Sequence, residues 1–317
     1  MADRTGIEWC DATWNPLVGC SPVSEACENC YAVQIAVRLA HNPTLSKVDR
    51  TRYLDTVWKD LCDEWGWTGQ IAFFPDRLKQ PLHWRKPRHV FVGSMTDLFH
   101  ENASLAMQER IFEVMQDCPR HTFMLLTKRP DLAAIALDDI AENYGIGQRP
   151  LPNVWMGATV ENQARANERI PTLLPIPAAV RFVSLEPLLG PVDTGHIGTW
   201  NEPCDALLGL QMDTAGEVTQ GPALDWVIVG CETGPHRRHT RIEWIRDVVR
   251  QCREAGVPVF VKAIEVPRCR TYDSIPGHPS EDWELAIKSF GSRISKDMSE
   301  WPADLRAQES PKGESNA

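Results

Sequence analysis

The sequence lacks any apolar run long enough to span a bilayer, and its opening MADRTGIEWC lacks the hydrophobic core of a signal peptide. We therefore expect a cytosolic protein with no membrane attachment. The chain also has no excess of basic residues. Its formal net charge of −10 argues against tight nonspecific adhesion to nucleic acid, although a local basic surface is compatible with it. With 317 residues, 43% of them hydrophobic and 24% charged, the chain is an ordinary globular protein that can bury a core.

Seven short runs rich in Val, Ile, Leu and Phe are the predicted strands. They begin near Ile71 and at His89, Thr122, Asn153, Val180, Asp225 and Val257. Such near-continuous apolar runs are typical of parallel strands covered on both faces. Amphipathic helical patterns lie between most of them, for example at 104–119 and at 241–256, where Gly256 is the expected C-cap. The alternation predicts an α/β fold with parallel strands. It is either a (β/α) barrel, for which we favour a partial one, or a doubly wound sheet.

Two segments interrupt this alternation. Residues 193–223 are rich in Gly, Thr, Asp and Pro and are predicted to be an insertion or lid-like loop. Residues 291–317 are polar and are predicted to be a disordered tail. We therefore expect one domain over residues 1–290, carrying the insertion and followed by the tail.

Three cysteines form a C-x6-C-x2-C array: Cys20, Cys27 and Cys30. A closed zinc site needs a fourth ligand, and the nearest His after Cys30 is His41. A disulfide would leave one thiol over and would suit an oxidising compartment. An iron–sulfur cluster is held by cysteine thiolates, and a [4Fe–4S] cluster with three of them keeps one iron open for a small-molecule ligand. The array thus favours such a cluster, with a three-cysteine zinc site as the alternative. The other cysteines are expected to be small core residues or bystanders.

Polar residues recur where six of the predicted strands end. In chain order they are Ser94, Thr96 and Asp97; Thr127, Lys128 and Arg129; Thr159, Glu161 and Asn162; Ser184 and Glu186; Glu232 and Thr233; and Lys262. The carboxyl ends of strands form the active face of barrels and open α/β sheets. Each residue alone is as readily explained as a helix cap or a loop partner. Their repetition predicts one polar-lined pocket, in which charged side chains pair with one another or with a zwitterionic ligand.

Several ordered motifs resemble known families. The stretch CENCYA resembles the end of the cysteine motif of radical SAM enzymes of the spore photoproduct lyase type, and VGSMTDLFH and LLTKRP resemble two strands of that group. Over about residues 5–265 the chain is more closely similar to a phage- and prophage-encoded family of unknown function with a three-cysteine signature. The matching motifs are IEWCDATWNPLVGC, CENCYA, GSMTDLF, LLTKRP, WMGATVENQ, RFVSLEPLLGP, WVIVGCETG and CREAGVPVFVK.

Some positions depart from the radical SAM pattern. The spacer before Cys27 has six residues where three are usual, and Asn29 stands where an aromatic residue usually precedes the last cysteine. Cys231 stands where the three-cysteine family tends to have Gly, and it receives no cluster role.

The resemblance implies a [4Fe–4S] cluster on Cys20, Cys27 and Cys30, with S-adenosylmethionine (SAM) as cofactor. Tyr31 would lie beside the cluster and pack against SAM, with an ordinary buried aromatic as its alternative. The implied cofactor contacts are Ser94, Thr96, Asp97, Thr127, Lys128, Glu161 and Glu186, while Glu232 and Lys262 would contact substrate. An electron donor such as flavodoxin or ferredoxin is implied as a partner, and an accessory protein that presents the substrate is a further candidate.

Two basic stretches suggest the substrate. RLKQPLHWRKPRH, from Arg77 to His89, contains five Lys or Arg residues and a tryptophan and no acid, and HRRHTR follows from His236. Interleaved cations and an aromatic suit phosphate and base contact, so Arg85, Lys86 and Arg88 are candidate substrate contacts. A solvated charged face is the alternative. We expect a nucleic acid or nucleotide substrate, such as a modified base.

The preferred function is therefore a radical SAM enzyme that cleaves SAM reductively and abstracts hydrogen from its substrate, in nucleic-acid base modification or repair. One alternative is a zinc- or cluster-bearing nucleic-acid-binding protein without catalysis. Another is a conventional barrel enzyme with an incidental metal site, in which Glu186 or Glu232 does acid–base work.

Overall fold

The structure is a computed structural model that describes residues 5–62, 64–144, 151–199, 202–213, 215–268 and 281–311. It has a mixed α/β fold with a large, mostly parallel sheet of eight strands. In sheet order these are β1 (Ala12–Trp14), β6 (His89–Val92), β7 (Thr122–Thr127), β8 (Val154–Thr159), β9 (Val180–Leu185), β14 (Trp226–Gly230), β15 (Val259–Pro267) and β16 (Ser292–Ser295). No helix in the described part of the chain combines the length and apolar character that crossing a bilayer requires.

Helices follow most of the parallel strands. They are α1 (Tyr31–Ala40), α2 (Lys47–Thr56), α3 (Gln80–His83), α4 (Leu105–Gln116), α5 (Pro130–Tyr144), α6 (Gln163–Leu173), α7 (Ile242–Ala255) and α8 (Glu281–Phe290). The predicted helices at 104–119 and 241–256 are confirmed, as α4 and α7. Gly256 ends α7 in the left-handed conformation, with φ 72°, as expected for a C-cap glycine.

The chain forms two compact units. Residues 1–158 and 176–179 make the amino-terminal unit, and residues 159–175 and 180–317 make the carboxy-terminal unit. The single domain predicted over residues 1–290 is divided between these two units in the structure.

In the amino-terminal unit, β1 pairs with β6, β6 with β7 and β7 with β8, all parallel. The strand predicted near Ile71 is different. It is the two-residue β5 (Ala72–Phe73), which pairs antiparallel with β2 (Leu17–Val18) outside the main sheet, so the parallel prediction is wrong there. Beside this pair, α1 and α2 bury Ala36, Tyr53 and Phe74 in an apolar cluster. Cys20 and Cys30 pack against the edge of that cluster.

A short antiparallel hairpin also belongs to this unit. Its strands are β3 (Val57–Lys59) and β4 (Trp65–Trp67), which pair between α2 and β5. Trp67 is buried, and the Trp58 indole donates to its carbonyl at 2.9 Å. Gly66 passes directly over the Trp58 ring, where a Cβ would lie 2.5 Å from a ring carbon.

In the carboxy-terminal unit, β9, β14 and β15 are parallel, and β16 is antiparallel to β15. All five residues of β14 are buried, and α7 turns Ile245, Val248 and Cys252 into the core. The predicted insertion folds as a separate four-stranded antiparallel sheet of β10 (Ile197–Thr199), β11 (Glu202–Asp205), β12 (Leu210–Met212) and β13 (Val218–Gln220). Its Gly and Asp residues supply the tight turns between short strands, which is why the segment resembled a loop.

The expected disordered tail is wrong for residues 291–311. Besides β16, this segment buries Trp301 and Leu305, which are 2% and 0% exposed. The backbone of Ala307 accepts a hydrogen bond from Val261, and that of Glu309 donates to Val259. Widely spaced apolar residues in a polar stretch anchor it to the edge of β15, a pattern that composition does not reveal. Residues 312–317 of the predicted tail lie outside the described residues.

Candidate metal-binding site

The three cysteines lie on one loop of the amino-terminal unit. Cys20 follows β2, Cys27 ends a 3-10 helix that starts at Glu25, and Cys30 is the residue before α1. All three are free thiols and partly exposed. The Cys30 thiol makes no capping hydrogen bond at the amino end of α1, a position that favours a thiolate.

A glycine starts this loop for steric reasons. Gly19 has φ 111°, and a Cβ there would lie 2.0 Å from the Gln70 carbonyl oxygen. The Gly19 amide donates to the Met95 carbonyl at 3.1 Å, and the Thr96 hydroxyl donates to the Gly19 carbonyl at 2.7 Å. The loop that carries Cys20 is thus fastened to the turn after β6. Thr96, a predicted cofactor contact, uses its hydroxyl for this attachment.

Ser94 and Tyr31 meet on the same turn. The Asn15 amide donates to Ser94 Oγ at 3.0 Å, and Tyr31 Oη donates to the Ser94 carbonyl at 2.8 Å. Tyr31 is 50% exposed, so the alternative of an ordinary buried aromatic is wrong. Its hydroxyl is held on the turn after β6, while half of the residue is exposed to solvent.

Asp97 joins the ends of β6 and β7. Its Oδ1 accepts from Thr127 Oγ1 at 2.7 Å and from the Phe99 amide at 3.1 Å. Its Oδ2 accepts from the Lys128 amide at 3.0 Å and from Arg129 Nη1 at 3.2 Å. Asp97 is buried and both of its oxygens have protein partners. It therefore organises the strand ends.

Arg129 has a role that its position at a predicted strand end did not indicate. Its guanidinium is 6% exposed and lies between Asp97, Glu101 and Ser21. Nη1 also points at Cys20 Sγ, 3.9 Å away. The sequence places Arg129 at the end of a strand, but it gives no sign that the side chain turns toward a cysteine more than a hundred residues earlier.

Burial and the local charges together set the pKa of Cys20. Burial raises the pKa of the Cys20 thiol to about 11, and the negative charge of Asp97 adds to this increase. Arg129 opposes both effects, while a charge on Cys30 would raise the pKa further. Cys20 and Cys30 pack against the same apolar cluster. Without a bound cation the Cys20 thiol is protonated at neutral pH, so a metal would displace its proton.

His100 is the nearest imidazole to this network. The Asn102 amide donates to Nδ1 at 3.0 Å, so the ring proton is on Nε2, which donates to Ser21 Oγ at 2.8 Å. Burial, followed by the positive charge of Arg129, lowers the pKa of His100. The ring is therefore neutral, and both of its nitrogens are engaged. This arrangement does not make it a fourth ligand of a closed zinc site.

The donor set fits an iron–sulfur cluster in its chemistry. Three free thiols stand on one partly exposed loop, and a buried cation lies against one of them. Within the part of the chain that the structure describes, no three or more His, Cys, Asp and Glu side chains already have the arrangement of a metal site. The three thiols would therefore have to turn toward a shared cluster, which the loop between Gly19 and α1 would need to allow.

The predicted acids of the carboxy-terminal unit are paired within that unit. Glu186 and Lys262 form an ion pair, as the sequence analysis expected for such charges. Glu161 instead pairs with buried Arg169 at 3.0 Å, and Glu232 pairs with Arg238 at 2.6 Å. The prediction of a single pocket that gathers all the strand-end residues stays a prediction.

The basic stretch at 77–89 is placed away from the cysteine loop. Arg85 and Lys86 are exposed, and Arg88 lies over the Trp84 ring at 5.0 Å. All three precede β6 and therefore lie at its amino end. Ser94, Thr96 and Asp97 follow β6 at its carboxyl end, so the four-residue strand separates the two groups by roughly 13 Å. The structure therefore does not bring these three residues together with the strand-end network. Arg77 is buried and lies over the Phe74 ring at 3.7 Å.

The second basic stretch is neutralised by acids. Arg237 pairs with Glu265 at 3.2 Å, Arg238 pairs with Glu232, and His239 contacts both Glu265 and Glu284. Contact with phosphate would have to break these pairs. These pairs account for the charges of Arg237, Arg238 and His239, and nucleic-acid contact by this stretch stays a prediction.

The remaining cysteines are scattered as expected. Cys118, Cys204, Cys231 and Cys252 are buried, while Cys62 is exposed. Burial raises the pKa of the Cys231 and Cys252 thiols, the latter to about 12. They are core residues held as neutral thiols. Cys269 lies outside the described residues.

A cavity of about 670 Å³ lies elsewhere in the carboxy-terminal unit. It is lined by residues 191–196, by Asp205 and Leu208 beside the small sheet, and by the last turns of α7. None of the predicted site residues lines it.

Comparison with known families matches residues 4–268 to a family described as "Protein of unknown function (DUF5131)". No curated protein and no solved structure matches the chain. The matched range contains the cysteine array and all the strand-end residues, and it stops before α8.

Proposed function

Since the chain belongs to DUF5131, a family of unknown function, its activity must follow from its own residues. We propose that it is a radical SAM-type enzyme, which cleaves SAM reductively and abstracts a hydrogen atom from its substrate. Cys20, Cys27 and Cys30 would hold its [4Fe–4S] cluster. The proposal includes the partial (β/α) barrel expected from the sequence, with the carboxyl ends of the strands as its active face.

One observation supports this proposal most. Three free thiols share a short loop that hydrogen bonds fasten to the ends of two parallel strands, and the nearby His100 is already engaged on both nitrogens. A set of three ligands is what an open-iron cluster needs and what a closed structural zinc site lacks. When bound, the cluster would supply the electron that breaks the sulfonium C5′–S bond of SAM, giving methionine and a 5′-deoxyadenosyl radical.

The chain's residues would then have three kinds of work. Thr96, Asp97 and Thr127 position the cysteine loop and the strand ends, because their side chains are used in that network. Tyr31, which follows Cys30 in the chain and is half exposed, would pack against the adenine of SAM. The ion pair of Glu186 and Lys262, with each side chain 16% exposed, is the proposed contact for a zwitterionic ligand.

A nucleic acid or nucleotide is the proposed substrate class, and the support for it is narrower than the sequence suggested. Lys79, Arg85 and Lys86 are exposed cations of the first basic stretch, whereas the second stretch is engaged with acids. The reducing electron would come from a flavodoxin or ferredoxin. This assignment follows from the resemblance to radical SAM enzymes.

The test starts with anaerobic purification and reconstitution. We expect a brown protein with a [4Fe–4S]⁺ EPR signal after reduction by dithionite, which changes on addition of SAM and yields 5′-deoxyadenosine. Cys20→Ala, Cys27→Ala and Cys30→Ala should each abolish cluster assembly. Cys62→Ala is the matched control, because Cys62 is exposed and outside the array.

Two results would contradict the proposal. A colourless protein that carries one tightly bound zinc ion would favour the zinc-bearing nucleic-acid-binding protein. A cluster that survives all three array substitutions would show that these cysteines are not its ligands.

A further inference from the structure

The side chain of Arg129 has a complete set of hydrogen bonds. Nε donates to Glu101 Oε2 at 3.1 Å, and Nη1 donates to Asp97 Oδ2 at 3.2 Å and to Cys20 Sγ at 3.9 Å. Nη2 donates to the Ser21 carbonyl at 3.2 Å and to Ser21 Oγ at 2.8 Å. A guanidinium has five N–H donors, and all of them are used here.

These five bonds join three separate pieces of the amino-terminal unit. Cys20 and Ser21 belong to the cysteine loop, Asp97 and Glu101 follow β6, and Arg129 itself stands between β7 and α5. A network of this kind restricts the orientation of a ligand side chain to fewer conformations than its rotamers would otherwise allow.

The burial of Arg129 adds an electrostatic argument. Its side chain is 6% exposed, so its charge is only weakly screened by solvent. The carboxylate of Asp97 is equally buried, whereas that of Glu101 is 53% exposed. A buried cation placed against a sulfur stabilises negative charge on that sulfur.

We propose that Arg129 is a positioning residue for Cys20, which holds its sulfur in place and sets a fixed positive charge against it. The inference rests on the proposed function in treating Cys20 as a metal ligand. Hydrogen bonds and positive charge at a ligating sulfur raise the reduction potential of an iron–sulfur cluster. Arg129 would therefore tune the site without touching substrate.

Two substitutions separate charge from geometry. Arg129→Lys keeps the cation but offers at most three donors in place of five, and Arg129→Gln removes the charge. Arg120→Gln is the matched control. Arg120 lies in the same unit and donates to the carbonyls of Pro81, Leu82 and Trp84, all of which are outside the cysteine loop.

The first measurement uses Co²⁺ on the protein without a cluster, followed through the thiolate-to-cobalt absorption. Loss of an outer-shell partner typically lowers metal affinity 10- to 100-fold. We expect a loss of about 10-fold or more in Arg129→Gln, a smaller loss in Arg129→Lys, and no change in Arg120→Gln. Circular dichroism and the unfolding midpoint establish that each variant is folded.

The second measurement is the midpoint potential of the reconstituted cluster. It should become more negative in Arg129→Gln and stay closer to the wild-type value in Arg129→Lys. A wild-type protein that binds Co²⁺ through Cys20 but assembles no cluster would contradict the proposed function. The role of Arg129 as a positioning residue for Cys20 would then be judged by the Co²⁺ affinities alone.

Three outcomes would overturn the inference. The first is Co²⁺ affinity in Arg129→Gln equal to that of the wild type. The second is an equal loss in Arg129→Gln and Arg120→Gln, which would indicate general destabilisation. The third is Co²⁺ binding that is insensitive to Cys20→Ala, since Cys20 would then not be a ligand.

Discussion

Thr127 Oγ1 donates a hydrogen bond to Asp97 Oδ1 at 2.7 Å, and both side chains are buried at the ends of the neighbouring strands β6 and β7. This bond connects the ends of the two strands, while Asp97 Oδ2 accepts a hydrogen bond from Arg129. One oxygen of the Asp97 carboxylate therefore binds a neutral hydroxyl, and the other binds a charged guanidinium.

This difference gives the first prediction. Thr127→Val removes one donor from Asp97 Oδ1 and should lower the free energy of unfolding by about 1–3 kcal/mol. Asp97→Ala leaves the buried Arg129 without its buried partner and should cost about 3–5 kcal/mol. Urea denaturation of both variants checks the order. A cost of Thr127→Val equal to that of Asp97→Ala would contradict it.

A second prediction concerns Gly19. Gly19→Ala would place a Cβ 2.0 Å from the Gln70 carbonyl at a φ of 111°, so the loop must shift. We expect a loss of stability of more than about 2 kcal/mol and faster alkylation of Cys20 by iodoacetamide. Gly256→Ala is the control. It has a similarly positive φ of 72° but open space at the Cβ, and should cost only about 1 kcal/mol without changing Cys20.

The third prediction is a pH dependence at His239. Its Nδ1 contacts Glu265 and its Nε2 contacts Glu284 at 2.8 Å, and carboxylates only accept, so the ring donates from both nitrogens only as the imidazolium. Burial alone would lower the pKa of His239, but the hydrogen bonds to these two carboxylates outweigh it and raise that pKa. Arg237, the other charged group at Glu265, stays charged throughout.

The sign follows from a folded-state pKa that lies above the unfolded value of about 6.5. The stabilisation is complete below about pH 6.5 and is lost as the pH rises through the folded-state pKa. Hydrogen exchange of α8 should therefore accelerate as the pH rises above about 6.5 and through the folded-state pKa, beyond the intrinsic chemical rate. His239→Gln should abolish this extra dependence. His196→Gln, at a surface position, should keep it.

A fourth prediction tests the carboxy-terminal segment. Trp301 is 2% exposed, so Trp301→Ala should lower the free energy of unfolding by about 3–5 kcal/mol. Leu285→Ala, at a position 60% exposed, is the control and should change it by less than about 0.5 kcal/mol. Both are measured by chemical denaturation. A tail without packing would give the two variants equal stability.

The sequence predicts those parts of the fold that local pattern decides. Six of the seven predicted strands, from β6 to β15, are found in the main sheet, because buried parallel strands need continuous apolar residues. β1 is three residues long and β16 is polar, so neither carries that signal. The predicted strand at β5 is similar in composition to the strands of the main sheet, but only two of its residues are paired. It pairs with β2 and therefore lies outside the main sheet.

The hydrogen-bond partners of the site residues could not be predicted from the sequence. Thr96, Asp97 and Thr127 were found as polar strand ends, yet their hydrogen bonds go to other parts of the same unit. Arg129 and Cys20 are 109 positions apart, and only the packing of the cysteine loop against β6 and β7 makes them neighbours. Spacing identifies candidate ligands, whereas it does not identify what holds them.

The attachment of residues 292–309 to β15 has a consequence for the order of events during synthesis. The Val261 amide donates to the Ala307 carbonyl, the Val259 carbonyl accepts from the Glu309 amide, and the Trp226 indole donates to the Glu309 carbonyl. Translation delivers the amino-terminal residues first, and units tend to fold in that order. The carboxy-terminal unit therefore cannot close its outer edge until about residue 309 has left the ribosome, and until then β15 is an open strand edge of the kind that pairs with other chains.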